Sequence, residues 1–348
     1  MEPCRIPQML RFFGTDAVYL EGSGTGALIN VLVCLKAAGK DVLMPAMTCP
    51  NVAIAVWAAG ARPVFVDIDA ATGNMDPEQL SRSLHPGVAA VIVVHSFGYP
   101  APLSRIRALC GPIPLIEDAC QAYGGRESGR ALGTLGDIGL ISFGYAKPIP
   151  LGRGAAIIIN RPDLTTVIKD SSVTLPQGLQ NLRYRLAMNL MIRGHNRVIR
   201  WLAKNANLYG FGLPREFEDE LQHRWCSFES SLPALQAELA ELPALLERPD
   251  IIRCDYTPGT WLPWRYSFRV SDERFRRGLL RVGRAAGLSL STLYRPVTTH
   301  FNAGADAVYP AAQEWSRTAV NLVYDNSAEG IRHMKCQLQI ALERAQPA

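Results

Sequence analysis

Two side chains stand out as a pair that could share a reaction, Lys147 and Asp118. The chain has six lysines against thirty arginines. Lys147 lies in Tyr145-Ala146-Lys147-Pro148-Ile149, an apolar setting for an amine that would otherwise be solvated. A desolvated lysine can shed its charge and form a Schiff base with a carbonyl. On its own it reads equally well as a loop lysine in water. Asp118 stands 29 residues earlier, at the end of the apolar run Pro114-Leu115-Ile116-Glu117-Asp118. An amine that holds a carbonyl and a carboxylate that keeps a pyridine nitrogen protonated are what a pyridoxal 5'-phosphate site needs.

The elements that would position this pair are short and apolar. Ile138 to Phe143 and Ala155 to Ile159 read as buried strands on either side of the lysine loop, the second ended by Asn160-Arg161-Pro162. Val18 to Leu20 reads as a strand running into Glu21-Gly22-Ser23-Gly24-Thr25-Gly26, with helical spacing from Leu28 to Ala38. A glycine-rich turn that opens a helix aims backbone N–H groups and the positive end of the dipole at one point, which suits a phosphate. The same pattern also serves plain helix capping. Strands at Asp41 to Met44, Pro63 to Val66 and Ala89 to Val94 alternate with helices at Val52 to Ala59 and Leu103 to Leu109. That order predicts an α/β fold with a mainly parallel sheet. His95 follows a strand on the side where such sheets bind ligands. It is read as a structural hydrogen-bonding residue, outside the catalytic set.

Ile116-Glu117-Asp118-Ala119-Cys120-Gln121-Ala122-Tyr123-Gly124, followed by Gly136-Asp137-Ile138-Gly139-Leu140-Ile141-Ser142-Phe143-Gly144-Tyr145-Ala146-Lys147, resembles the paired motifs of the DegT/StrS-type aminotransferases. The likeness runs from about Val18 to Asn160. It implies a fold type I enzyme with a seven-stranded, mainly parallel sheet, a smaller C-terminal α+β domain and pyridoxal 5'-phosphate as cofactor. It also implies roles. Lys147 would carry the cofactor and move the proton, and Asp118 would hold the ring nitrogen. Gln121 would lie against the ring, and Gly24, Thr25, Gly26 and Ser142 would hold the phosphate. The expected reaction moves an amino group from glutamate to a keto group on a nucleotide-linked sugar, in a homodimer. Several positions depart from the family pattern. Cys49 stands where an aromatic or histidine stacks on the ring, and Tyr123 replaces a histidine. Gly152-Arg153-Gly154-Ala155 replaces the usual GEGG. No clear asparagine occurs near Gln222-His223-Arg224-Trp225, where relatives reach into the neighbouring subunit, and the arm before the glycine turn is short. These departures leave open a second reading, a degenerate paralogue that binds the cofactor or a sugar nucleotide as a partner or regulator. Sugar dehydratases of the same type lack the lysine.

With 348 residues the chain can bury a large core, and three regions are expected. These are a cofactor-binding α/β part over 1–165, a linker with long helices over 166–250, and a small α+β part over 251–348. The last contains a strand with alternation at Trp264 to Val270, a helix at Asp272 to Ala286, a strand at Ser289 to Tyr294 and a helix at Ser327 to Leu342. Leu293-Tyr294-Arg295-Pro296 loosely resembles a tyrosine-proline segment of the family, and no role is carried onto it. The basic stretch from Leu179 to Ala206 reads as a helix packed on its own protein in preference to a membrane-surface helix. A net charge of +5 is too small and dispersed to argue for nucleic acid. No metal-type cysteine spacing, membrane-length apolar run or signal peptide is recognised. The eight scattered cysteines read as reduced thiols of a cytoplasmic protein.

Overall fold

The computed structural model describes residues 2–165, 212–254, 261–301 and 309–345. The basic stretch 179–206 lies outside the described residues. The main sheet runs in the order β1-β2-β10-β9-β6-β5-β3-β4. Its strands are β1 (Glu2–Pro3), β2 (Val18–Glu21), β3 (Asp41–Pro45), β4 (Arg62–Val66), β5 (Val88–Val94), β6 (Leu115–Asp118), β9 (Ile138–Ser142) and β10 (Ala155–Ile159). The five strands from β4 to β9 are mutually parallel. β10 runs antiparallel to both β9 and β2. The expected seven-stranded sheet is therefore present, with the two-residue β1 added at its edge.

Helices cover both faces, which explains why the central strands are apolar without alternation. On one face Leu43, Val66, Val91, Val93 and Leu115 pack with Leu80 of α4 (Pro77–Ser83) and Ile106 of α5 (Leu103–Cys110). On the other, Met44, Ile92, Val94, Ile116 and Leu140 join the large core with α2 (Gly24–Cys34) and α3 (Pro50–Ala58). α2 begins four residues before the apolar spacing suggests, because the glycine turn is itself its first turn, capped by Ser23. α3 likewise begins at Pro50, where proline suits the first helical position.

The helix Phe217–Leu239 follows, with Leu221, Trp225, Phe228, Leu232, Leu235 and Leu239 buried. A second sheet, β11-β12-β14-β13, is antiparallel throughout. Its strands are β11 (Ile251–Arg253), β12 (Tyr266–Val270), β13 (Leu290–Ser291) and β14 (Ala319–Leu322). Two expectations change here. The strand expected from Trp264 starts at Tyr266, and all five of its residues are buried, so it does not alternate. The strand expected from Ser289 to Tyr294 is paired only at Leu290–Ser291. Beyond it, the Asn321 side chain donates to the Leu293 carbonyl at 2.7 Å and takes over from the ladder.

Candidate functional site

Asp118 and Glu117 are neighbours at the end of β6, and strand geometry sends them to opposite faces. Asp118 is 8 % exposed. Its Oδ1 accepts from the Cys120 backbone N–H at 3.0 Å. Lys147 lies in the loop that joins β9 to β10, half-buried. The two charges act on the same thiols. Burial pushes Cys49 up, while the positive charge of Lys147 pulls it down and Asp118 raises it. At Cys120 burial again dominates, Asp118 adds to the rise and Lys147 opposes it. The charges of an amine and a carboxylate from separate segments thus both act on Cys49 and Cys120.

The glycine turn meets them. The Ser23 hydroxyl accepts from the Gly26 N–H at 3.0 Å and fixes the start of α2. Gly24 and Thr25 open the helix, where first-turn N–H groups lack intrahelical acceptors. A Cβ on Gly24 would stand 3.2 Å from the Ser142 Cβ and 3.8 Å from the Cys120 sulfur. Gly24, Ser142 and Cys120 therefore line one tight cradle that only a glycine leaves open. The Ser142 hydroxyl accepts from the Gly144 N–H at 3.3 Å. Nearby in sequence, the hydroxyl of Thr48 is buried and has no hydrogen-bond partner among the described residues.

Gln121 is buried beside this site and already engaged. Its Oε1 accepts from the Phe97 N–H at 3.0 Å, and its Nε2 donates to the Tyr294 hydroxyl at 3.4 Å. Tyr123 is structural. Its hydroxyl donates to the Ser142 carbonyl at 3.2 Å and accepts from the Ile149 N–H at 2.8 Å, bridging β9 to the lysine loop. Its ring stacks on Trp225 of the long helix.

His95 is fully buried on the far side of β6. Its Nδ1 accepts from the Ala101 N–H at 2.9 Å, which leaves Nε2 to carry the proton toward Glu117 at 2.9 Å. Glu117 also accepts from the N–H groups of Gly133, Leu135 and Gly136 at 2.6, 2.6 and 2.8 Å. Burial alone would raise Glu117. The hydrogen bond from His95, with those N–H groups, wins and holds it below the ordinary carboxylate value. His95 is thus the structural hydrogen-bonding residue expected.

The second sheet supplies residues that local sequence did not flag. The Trp264 indole donates to the Ala146 carbonyl, directly before Lys147. The Lys147 Nζ sits 5.3 Å from the Trp264 ring centroid, and the Arg265 guanidinium lies 4.1 Å over that ring. Tyr294 stacks on the same indole at 6.3 Å and 23°. Asn326 donates to the Pro148 carbonyl at 2.5 Å. The approach is close: a Cβ on Gly98, which has φ +96°, would run into the backbone of Pro263 and Trp264. A separate cleft of about 840 Å³ lies between the β7–β8 hairpin (Arg126–Glu127, Arg130–Ala131) and the long helix, lined in part by Arg126, Leu232 and Trp261. Lys147, Asp118 and Ser142 are not among its walls.

Fold and site together define a fold type I, cofactor-binding α/β architecture. Residues 8–326 match the DegT/DnrJ/EryC1/StrS aminotransferase family, and the chain belongs to it. It is 29% identical over 338 residues to the protein MosB of Rhizobium meliloti, covering 92% of this chain and 65% of that one. It is 36% identical over 145 residues to the L-glutamine:2-deoxy-scyllo-inosose aminotransferase of Streptoalloteichus tenebrarius, covering 41% and 34%. The chain therefore spans less than two thirds of these curated relatives. In fold it is similar to the aminotransferase TlmJ from Streptoalloteichus hindustanus, with a TM-score of 0.76, 24% identity, and coverage of 96% of this chain and 88% of that one. The cofactor of the family is pyridoxal 5'-phosphate. The residues present fit it: a cradle free of side chain at a helix start, a serine hydroxyl, a buried carboxylate with one backbone donor, and a half-buried amine whose charge acts on Cys120 of that cradle.

Proposed function

We propose that this chain is a pyridoxal phosphate-dependent aminotransferase that moves an amino group from glutamate to a keto group on a nucleotide-linked sugar. The observation that carries the reading is the cradle of Gly24, Ser142 and Cys120 at the start of α2, beside Asp118 at the end of β6 and followed by the Lys147 loop after β9. When bound, pyridoxal phosphate supplies a protonated ring that draws electrons from the carbon losing its proton. In this reading Lys147 Nζ would hold the cofactor and would carry the proton. Asp118 keeps a proton at the ring nitrogen. Gly24, Thr25, Gly26 and Ser142 bind the phosphate, and Gln121 buttresses the ring through Tyr294. Trp264 holds the lysine loop by its carbonyl and screens the amine from water. The cofactor part would be 1–165 and the small C-terminal part 251–348, in a cytoplasmic homodimer. The eight free cysteines suit a reducing compartment.

The test is a visible spectrum of purified protein with added cofactor, followed by single-turnover reaction with glutamate and with glutamine. A screen of nucleotide-linked keto sugars and of 2-deoxy-scyllo-inosose, the substrate in a relative's name, then identifies the acceptor. The wild type should show the lysine-linked band near ~420 nm, bleach it with the donor, and aminate an acceptor. Lys147→Ala should lose the band and fall by about 10⁴-fold or more in turnover. A Lys147→Ala protein that keeps both would end this assignment. Cofactor binding without any donor reaction would favour the non-catalytic paralogue.

A further inference from the structure

Among the described residues, Arg265 is a charged side chain without a counter-ion, on the same indole as Lys147. Its Nη1 donates to the Ser291 hydroxyl at 2.5 Å. Its Nε is buried and has no partner among the described residues. No carboxylate pairs with it among those residues, whereas Arg269 has Glu314 at 2.6 Å and Arg248 has Asp250 at 2.9 Å. Burial lowers its pKa, and only the Tyr294 hydroxyl opposes that fall. A half-buried guanidinium with no carboxylate paired to it among the described residues favours an incoming anion.

Its position selects the anion. Arg265 and Lys147 both lie against the Trp264 indole, at 4.1 and 5.3 Å from one centroid. The two cations can be no farther apart than those distances together. In an α-amino acid the amine nitrogen and the carboxylate carbon are about 2.5 Å apart. A guanidinium paired with that carboxylate adds about 4 Å. One small molecule can therefore present its amine where Lys147 works and its carboxylate to Arg265.

We propose that Arg265 receives the carboxylate of the amino donor; this rests on the aminotransferase reading above. The indole of Trp264 holds the guanidinium in place by cation–π contact, and Ser291 fixes its orientation. A phosphate of the acceptor is the competing source of negative charge, and the experiment separates the two.

The experiment uses cofactor-loaded wild type, Arg265→Gln and Arg265→Lys, with circular dichroism confirming the fold. Single-turnover bleaching by glutamate gives the donor Kd and the limiting rate. Calorimetry with glutarate, which has carboxylates and no amine, measures the contact without turnover. UDP is titrated in parallel. Arg265→Gln should raise the glutamate Kd roughly 50-fold and lose glutarate binding, with the limiting rate changed less than about threefold. Arg265→Lys should recover part of the affinity, because charge survives and the fork does not. UDP binding should not move. Equal glutamate and glutarate affinities in wild type and Arg265→Gln would overturn the proposal. Loss of UDP binding in place of glutarate binding would assign the cation to the acceptor and overturn it too. If wild type binds glutarate through Arg265 but reacts with no amino acid, the donor role falls together with the aminotransferase reading. If wild type transaminates while Arg265→Gln is unaltered, only the Arg265 proposal falls.

Discussion

The two faces of the sheet at the end of β6 treat adjacent carboxylates in opposite ways. Toward α4 and α5, Glu117 is fully buried and meets His95 and three backbone N–H groups. Toward α2 and α3, Asp118 has one backbone donor, and its charge and that of Lys147 act on the same two thiols. Glu117 is saturated and ties the 133–136 turn to the sheet. Asp118 keeps acceptor capacity unspent. The lesson is that buried charge alone does not mark a reactive group; the marker is a buried charge whose hydrogen-bonding capacity is not consumed by its own chain.

Substitutions can break this contrast. Glu117→Ala should have the largest effect on the fold. It strands His95 and three N–H groups, at a cost of about 3–5 kcal/mol, readable as a lower urea midpoint. Unchanged stability would remove the saturated half of the comparison. Asp118→Asn should leave the urea midpoint within about 0.5 kcal/mol and retain some cofactor, while slowing single turnover by about 10²- to 10³-fold. Undiminished turnover would refute its role at the ring nitrogen. Gly24→Ala should weaken cofactor affinity about tenfold, measured by equilibrium dialysis, because the new Cβ would crowd Ser142 at 3.2 Å.

The smallest effect is in acid. The folded-state pKa of Glu117 is depressed below the ordinary glutamate value of 4.5. Its stabilising contribution is therefore complete above the unfolded value and fades as pH drops through the folded one. Thermal melts taken downward from pH 7 should show wild type losing stability below about pH 4.5, with Glu117→Gln showing a shallower acid limb. Parallel limbs would show that other carboxylates govern the acid transition.

Much of the first sheet was legible in the sequence, because buried parallel strands are continuous apolar runs with turn residues at their ends. Ala155 to Ile159 was placed to the residue. The proposed site residues Asp118, Gly24 and Ser142 could be singled out for a related reason: each sits at the end of a recognisable element, and Lys147 lies in the loop that follows one of them. The second sheet was harder. β14 is only Ala319-Val320-Asn321-Leu322, and the buried Asn321 at its centre breaks the apolar pattern. Its amide is satisfied by the Ser291 and Leu293 carbonyls, with the Ser267 hydroxyl bonded to its oxygen, all contacts across long sequence separations. Trp264 and Arg265 were invisible for a related reason. Nothing near them in sequence says which loop they will meet, and Lys147 is more than a hundred residues away. Gln121 was singled out, yet its engagement with Phe97 and Tyr294 could be seen only in three dimensions.

The grip of Trp264 and Asn326 on the carbonyls before and after Lys147 bears on how the protein matures. The first 165 residues contain every strand of the main sheet, but the amine is clamped only after segments made much later have docked. During synthesis the sheet would form first, and vitamin capture would be among the last events. A ribosome-arrested chain stopped before Pro263 should resist protease across its sheet while leaving the loop around Lys147 open to cleavage.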